Sequence, residues 1–218
     1  MNIRHFHGWA LISSGLLMTL LLIFGLTDLT LGIPYLSDVL IIGYCLLFMV
    51  GLPGIHYVQP QTKHWGWIGL ILMLLPPLNR LLTTLIGLFA QSPVELNHLE
   101  ASIWNALAAV GIIYLGYIIV GWLSIQARVF PSWVGWLLLL VGISYDVLWF
   151  FTLYGSSDSI PFSLFENSLY FMRLLEITAV IGYGWNIIKY KAPRKKRTQH
   201  SMHRTARTRR VFEDYSER

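Results

Sequence analysis

The stretch Tyr170-Phe171-Met172-Arg173-Leu174-Leu175-Glu176 sets an arginine and a glutamate three residues apart inside a run that is otherwise apolar and long enough to cross a bilayer. A charged side chain near the centre of a membrane costs roughly 2.5 to 3.5 kcal/mol on insertion scales. Both groups therefore need partners or water at that depth. Two other apolar runs supply candidates, Arg80 and Asp146.

The composition around this stretch is that of an integral membrane protein. Of 218 residues, 55% are hydrophobic and 14% aromatic, while only 12% are charged; in a soluble domain about a quarter are charged. At about 20 residues per span, no length remains for a separate soluble domain. The single cysteine, Cys45, lies in an apolar run, which excludes an intrachain disulfide and makes a cysteine-based metal site untenable.

Six apolar runs predict an all-α, polytopic bundle of six transmembrane helices over residues 1–190, with residues 191–218 a basic, disordered tail. The first span runs from about Gly8 to Gly32 and has no small-x-small cleavage site, so it is expected to remain as a helix. The second, about Val39 to Val58, carries Pro53, which predicts a kink. The third, about Trp65 to Ala90, is interrupted by Pro76-Pro77 just before Asn79-Arg80. Two prolines remove two helix donors, and a break of that kind persists in a membrane only where protein or a water-filled cavity satisfies the freed backbone. The fourth span, about Ala101 to Ile125, holds Asn105; the fifth, about Trp133 to Tyr154, holds Tyr145-Asp146; the sixth runs from about Phe162 to Ile188.

Charge sets the expected orientation. Arg4, Lys63, Arg128 and eleven basic residues from Lys189 onward fall on one side, while Asp28, Asp38, Glu95, Glu100, Asp158 and Glu166 fall on the other. The positive-inside rule then places both termini in the cytoplasm and the protein in the cytoplasmic membrane. The basic tail reads as a partner for anionic lipid headgroups, at about 1 kcal/mol per basic residue near the surface. It has few aromatics for stacking, so nucleic acid is not expected.

The inner ends repeat faintly. Gly54-Ile55-His56-Tyr57-Val58-Gln59, Gly121-Trp122-Leu123-Ser124-Ile125-Gln126 and Gly184-Trp185-Asn186-Ile187-Ile188-Lys189 follow one another at spacings of 67 and 63 residues, and Gly8-Trp9, Gly66-Trp67 and Gly135-Trp136 open the odd-numbered spans. This pattern suggests three hairpin pseudo-repeats in parallel; interfacial tryptophans at helix ends would produce part of it without any repeat. The segment Arg128-Val129-Phe130-Pro131-Ser132-Trp133-Val134-Gly135-Trp136-Leu137-Leu138-Leu139 resembles one found in bacterial six-helix membrane proteins of unknown function. That resemblance implies a membrane bundle and transfers no catalytic residue.

The candidate ligand-binding residues are Arg80, Asp146, Arg173 and Glu176, with Asn79, Tyr145, Tyr170 and Asn105 placed to add hydrogen bonds. Helical rise puts the four ionisable groups in one outer-central layer. One reading is structural, with Arg80 paired to Asp146 or Glu176 to fix helix register. The other is a pocket that binds or transports a small ion, solute or lipid headgroup, with Arg80 or Arg173 clamping an anion and Asp146 or Glu176 the proton- or cation-linked carboxylate. An intramembrane enzyme is the third reading. His-Glu-x-x-His and Gly-x-Ser-x-Gly are absent, and Tyr145-Asp146 has no Gly-x-Gly-Asp companion to share a proton, so no catalytic residue is assigned. His5, His7, His56 and His64 cluster on the cytoplasmic side without an acidic companion, so neither a metal nor another cofactor is expected.

Overall fold

The computed structural model describes residues 3–27, 35–89, 112–154 and 162–190, and the described residues are helical apart from short turns. Helix α1 spans Ile3–Thr27, α2 Leu36–Gly51, α3 Pro53–Val58, α4 Lys63–Met73, α5 Leu75–Phe89, α6 Leu115–Ala127, α7 Ser132–Tyr154 and α8 Phe162–Lys189. A 3-10 turn, Pro60–Thr62, links α3 to α4. Asn105 and the tail lie outside the described residues.

Among the described residues, four helical stretches are long and apolar enough to cross a membrane: Ile3–Thr27, Leu36–Val58, Pro60–Phe89 and Ser132–Phe151. Leu115–Ala127 is a shorter apolar helix. Helix α8 has the length, at 28 residues, but Glu166, Asn167, Arg173, Glu176 and Asn186 dilute its apolar content. Outward-facing Leu20, Ile71, Leu140, Val147 and Leu174 are exposed, while Glu176, Gln59 and Ser124 are buried. This inside-out distribution fits a protein embedded in lipid, where polar groups must find partners in the interior.

Each proline acts close to where the sequence places it. Pro53 ends α2 and occupies the first turn of α3, with the Leu52 amide still donating to the Phe48 carbonyl at 3.0 Å. In the third span the interruption falls at Leu74, two residues ahead of the expected Pro76-Pro77 position. The shift follows from the chemistry: each missing N–H frees the carbonyl four residues earlier, here those of Leu72 and Met73. Gly116 packs against this point, where a Cβ would lie 2.6 Å from the Leu72 carbonyl carbon. The continuous fourth helix expected from sequence is corrected: residues 112–114 form a turn closed by a 3.3 Å hydrogen bond from the Leu115 amide to the Ile112 carbonyl, and helix begins at Leu115.

The helices close a ring in chain order. Helix α1 packs on α2, α2 on α5, α4 on α6, α6 on α7, α7 on α8, and α8 returns to α1. Two of these seams are cut for backbone contact. A Cβ on Gly184 would lie 2.6 Å from the Gly8 carbonyl oxygen, and Cβ atoms on Gly121 and Gly135 would each lie 2.8 Å from the other's carbonyl oxygen. Small residues facing each other in this way let apolar helices gain van der Waals contact where no hydrophobic force drives them together. The third member of the series departs: Gly54 meets the His7 side chain and Gly66 meets His56. A core of Leu11, Phe48, Met73, Val120, Leu138 and Val180 fills the ring near the end where α1 begins and α8 finishes, called here the termini end.

Candidate functional site

Helix α8 brings one face to the ring interior. Met172, Glu176, Val180 and Tyr183 recur at helical spacing and are buried, while Phe171 and Leu174 face outward with 60% and 51% of their surface exposed. Glu176 is 4% exposed and fully engaged. Its Oε1 accepts the Tyr117 hydroxyl of α6 at 2.7 Å. Its Oε2 accepts Arg173 Nη1 at 2.9 Å and, more weakly, the Tyr145 hydroxyl of α7 at 3.4 Å. A buried carboxylate with an ion partner and two hydroxyl donors has its charge offset in place.

Arg173 is only partly spent. Its bond to Glu176 uses one guanidinium nitrogen, and 39% of its side-chain surface stays open. Arg173 lies on the same helical face as Glu176 and Val180, the buried face of α8. The guanidinium sits 5.7 Å from the centre of the Tyr145 ring, a cation–π distance. Tyr114 stacks on Tyr145 with centroids 4.4 Å apart and planes 14° from parallel. Tyr44 on α2, Tyr114 and Tyr145 all lie within electrostatic reach of Arg173.

The remaining candidate residues take separate positions. Asp146 is half-buried and accepts the backbone N–H of Tyr114, at the start of α6, where an anion also favours the helix dipole. Arg80 is exposed on α5, and among the described residues no ion pair joins it to Asp146 or Glu176. Asn79 bonds within its own helix, its carbonyl accepting the Thr83 hydroxyl at 2.9 Å. Tyr170 faces α1, with its ring 3.9 Å from a Cβ built at Gly25. Arg173, Glu176 and Tyr145 thus form one cluster, Asp146 borders it through Tyr114, and Tyr170 and Asn79 stand apart.

A second polar tier lies toward the termini end and was not legible in the sequence. Gln59 Nε2 donates to Ser124 Oγ at 3.1 Å, and the Tyr183 hydroxyl donates to the same Ser124 oxygen at 2.7 Å. All three residues are buried. Tyr117 to Glu176 and Ser124 to Tyr183 share one sequence offset of 59 residues. Helices α6 and α8 therefore run parallel and are bridged twice, two turns apart, with Val120, Ala179 and Val180 between the bridges. The only available signal was the seven-residue spacing of polar groups on each helix.

Among the described residues no group of three or more His, Cys, Asp or Glu is placed to hold a metal ion. Comparison with protein-family models, curated proteins and solved structures finds no match for this chain.

Proposed function

We propose that this protein binds or transports a small ion, solute or lipid headgroup at the polar centre around Arg173. The observation that carries this reading is Arg173 on the buried face of α8, whose guanidinium spends one nitrogen on Glu176 while 39% of its side-chain surface stays open. A guanidinium held at that depth with unspent donors is a costly feature for helix packing alone. The aromatic pair Tyr114 and Tyr145 supplies a wall for the apolar part of a solute.

The same reading takes the protein as a six-span, transporter-like bundle of residues 1–190 in the cytoplasmic membrane, both termini cytoplasmic, with the basic tail on anionic lipid. The positive-inside distribution supports that orientation. Three hairpin pseudo-repeats gain support from the glycine pairs Gly184 with Gly8 and Gly121 with Gly135, which join the end of one hairpin to the start of the next.

A second reading, a non-catalytic structural or regulatory membrane component, is favoured by one observation: Glu176 is already satisfied by three donors. The two separate on water access. With Cys45→Ser as background, Asp146→Cys should react with a membrane-impermeant thiol reagent added outside intact cells if the centre is a binding site. Absence of labelling in protein that inserts normally would favour the structural component.

A further inference from the structure

The hydrogen bonds of the polar centre leave open donors and no open acceptor. Glu176 is the acceptor and it is spent: Tyr117, Tyr145 and Arg173 donate to its two oxygens, and only 5% of its side-chain surface stays open. The hydroxyls of Tyr117 and Tyr145 belong to buried residues and are turned to that carboxylate. Arg173 is the reverse case. A guanidinium has donors on each of its nitrogens; among the described residues only Nη1 is used, on Glu176, while 39% of the side chain stays open. Aromatic surface adjoins these donors, with the Tyr145 ring 5.7 Å from the guanidinium and the half-buried Tyr114 stacked on it at 4.4 Å.

Charge narrows the ligand further. The Arg173–Glu176 pair, closed at 2.9 Å, is neutral as a unit. An anion reaching for the guanidinium also meets the carboxylate bonded to it, and a cation meets the guanidinium while the Glu176 oxygens stay buried. Either ion would have to shed its water for a pair that is already balanced. An uncharged oxygen acceptor avoids that cost and still receives a charge-assisted hydrogen bond.

We infer that Arg173 donates to the carbonyl oxygen of an uncharged, largely apolar molecule whose body packs beside Tyr114 and Tyr145. This rests on the reading of the polar centre as a binding site and narrows what it accepts from ions and headgroups to neutral carbonyl compounds. Glu176 is a positioning residue: it fixes the guanidinium and offsets its charge without touching the ligand. The carbonyl acceptor is common to a free solute and to an uncharged lipid ester.

The test uses the full chain in neutral detergent and near-isosteric probes at neutral pH: acetophenone for the carbonyl, ethylbenzene for the same shape without an acceptor, benzoate for the anion and benzylammonium for the cation. Binding is read by saturation-transfer NMR against a background of empty micelles. Acetophenone should bind more tightly than either ion, and more tightly than ethylbenzene by about 10-fold or more, the worth of one hydrogen bond to a charged donor. Arg173→Met with Glu176→Gln removes the donors without stranding a charge and should bring acetophenone down to the level of ethylbenzene. Should that variant fail to fold, Arg173→Lys, which keeps the ion pair and loses the planar fork, should weaken acetophenone and leave ethylbenzene unchanged. Competition by dioctanoylglycerol identifies a lipid ester as the source of the carbonyl, and its absence a free solute. Benzoate or benzylammonium binding more tightly than acetophenone, equal binding of acetophenone and ethylbenzene, or acetophenone binding unchanged by the substitutions at Arg173 would overturn the neutral-carbonyl inference while leaving a binding site. Binding of none of the probes above the micelle background would remove the binding-site reading as well.

Discussion

Tyr117 on α6 and Glu176 on α8 meet through a 2.7 Å hydrogen bond, although these helices are not neighbours in the ring. The bond spans the interior, and two turns further along the same helices Tyr183 returns a 2.7 Å bond to Ser124. The ring is therefore cross-braced at two levels. Its open guanidinium lies on the side of Glu176 away from the second brace.

Tyr117→Phe removes the shorter hydroxyl donor to a buried carboxylate and should lower stability by about 1 to 3 kcal/mol. Tyr145→Phe, whose bond is 3.4 Å, should cost less. Unfolding of the detergent-solubilised variants by denaturant checks the order; equal losses would contradict the geometry.

Glu176→Gln should be more harmful than the pair Arg173→Gln with Glu176→Gln, because the single change strands a guanidinium without its counter-ion. Breaking a buried pair costs about 3 to 5 kcal/mol, and the open side of Arg173 should place the loss below that range. A double-mutant cycle on thermal stability measures the coupling directly.

Gly184→Ala should weaken the α1–α8 seam by about 1 to 3 kcal/mol, since the new methyl would meet the Gly8 carbonyl. Gly87→Ala has nothing within 4 Å of the added carbon and should be neutral or stabilising by up to about 1 kcal/mol through helix propensity. Melting temperatures of the two proteins in one detergent distinguish a real seam from a chance approach.

Ser124→Ala removes the oxygen shared by Gln59 and Tyr183, leaving two buried polar groups without that partner. A loss of about 1 to 3 kcal/mol is expected. Adding Tyr183→Phe to Ser124→Ala should cost little more, which thermal unfolding of the two variants would establish.

Much of the plan was readable because bilayer chemistry is demanding. Apolar runs long enough to span announce themselves, and Arg173 with Glu176 was visible as an i, i+3 pair on one helix. Tyr145, adjacent in sequence to the suspect Asp146, proved to touch Glu176. Tyr117, Tyr183 and Gln59 were not picked out, because a tyrosine in an apolar run reads equally well as packing. Only the parallel register of α6 and α8 gives them partners. The turn at 112–114 has no proline to mark it, whereas the interruption at Leu74 follows from Pro76 and Pro77 once the freed carbonyls are counted back.

The most direct test compares two positions on the inward face of α8, Arg173→Cys with Glu176→Gln, and Val180→Cys, each with Cys45→Ser, for reaction with a small water-soluble thiol reagent. The centre should be wet at residue 173 and dry at residue 180, where the apolar layer lies between the two polar tiers, so labelling at 173 should be fast and at 180 negligible. Equal protection of both, in protein that remains folded, would mean that Arg173 is sealed within the bundle and would contradict the binding-site account.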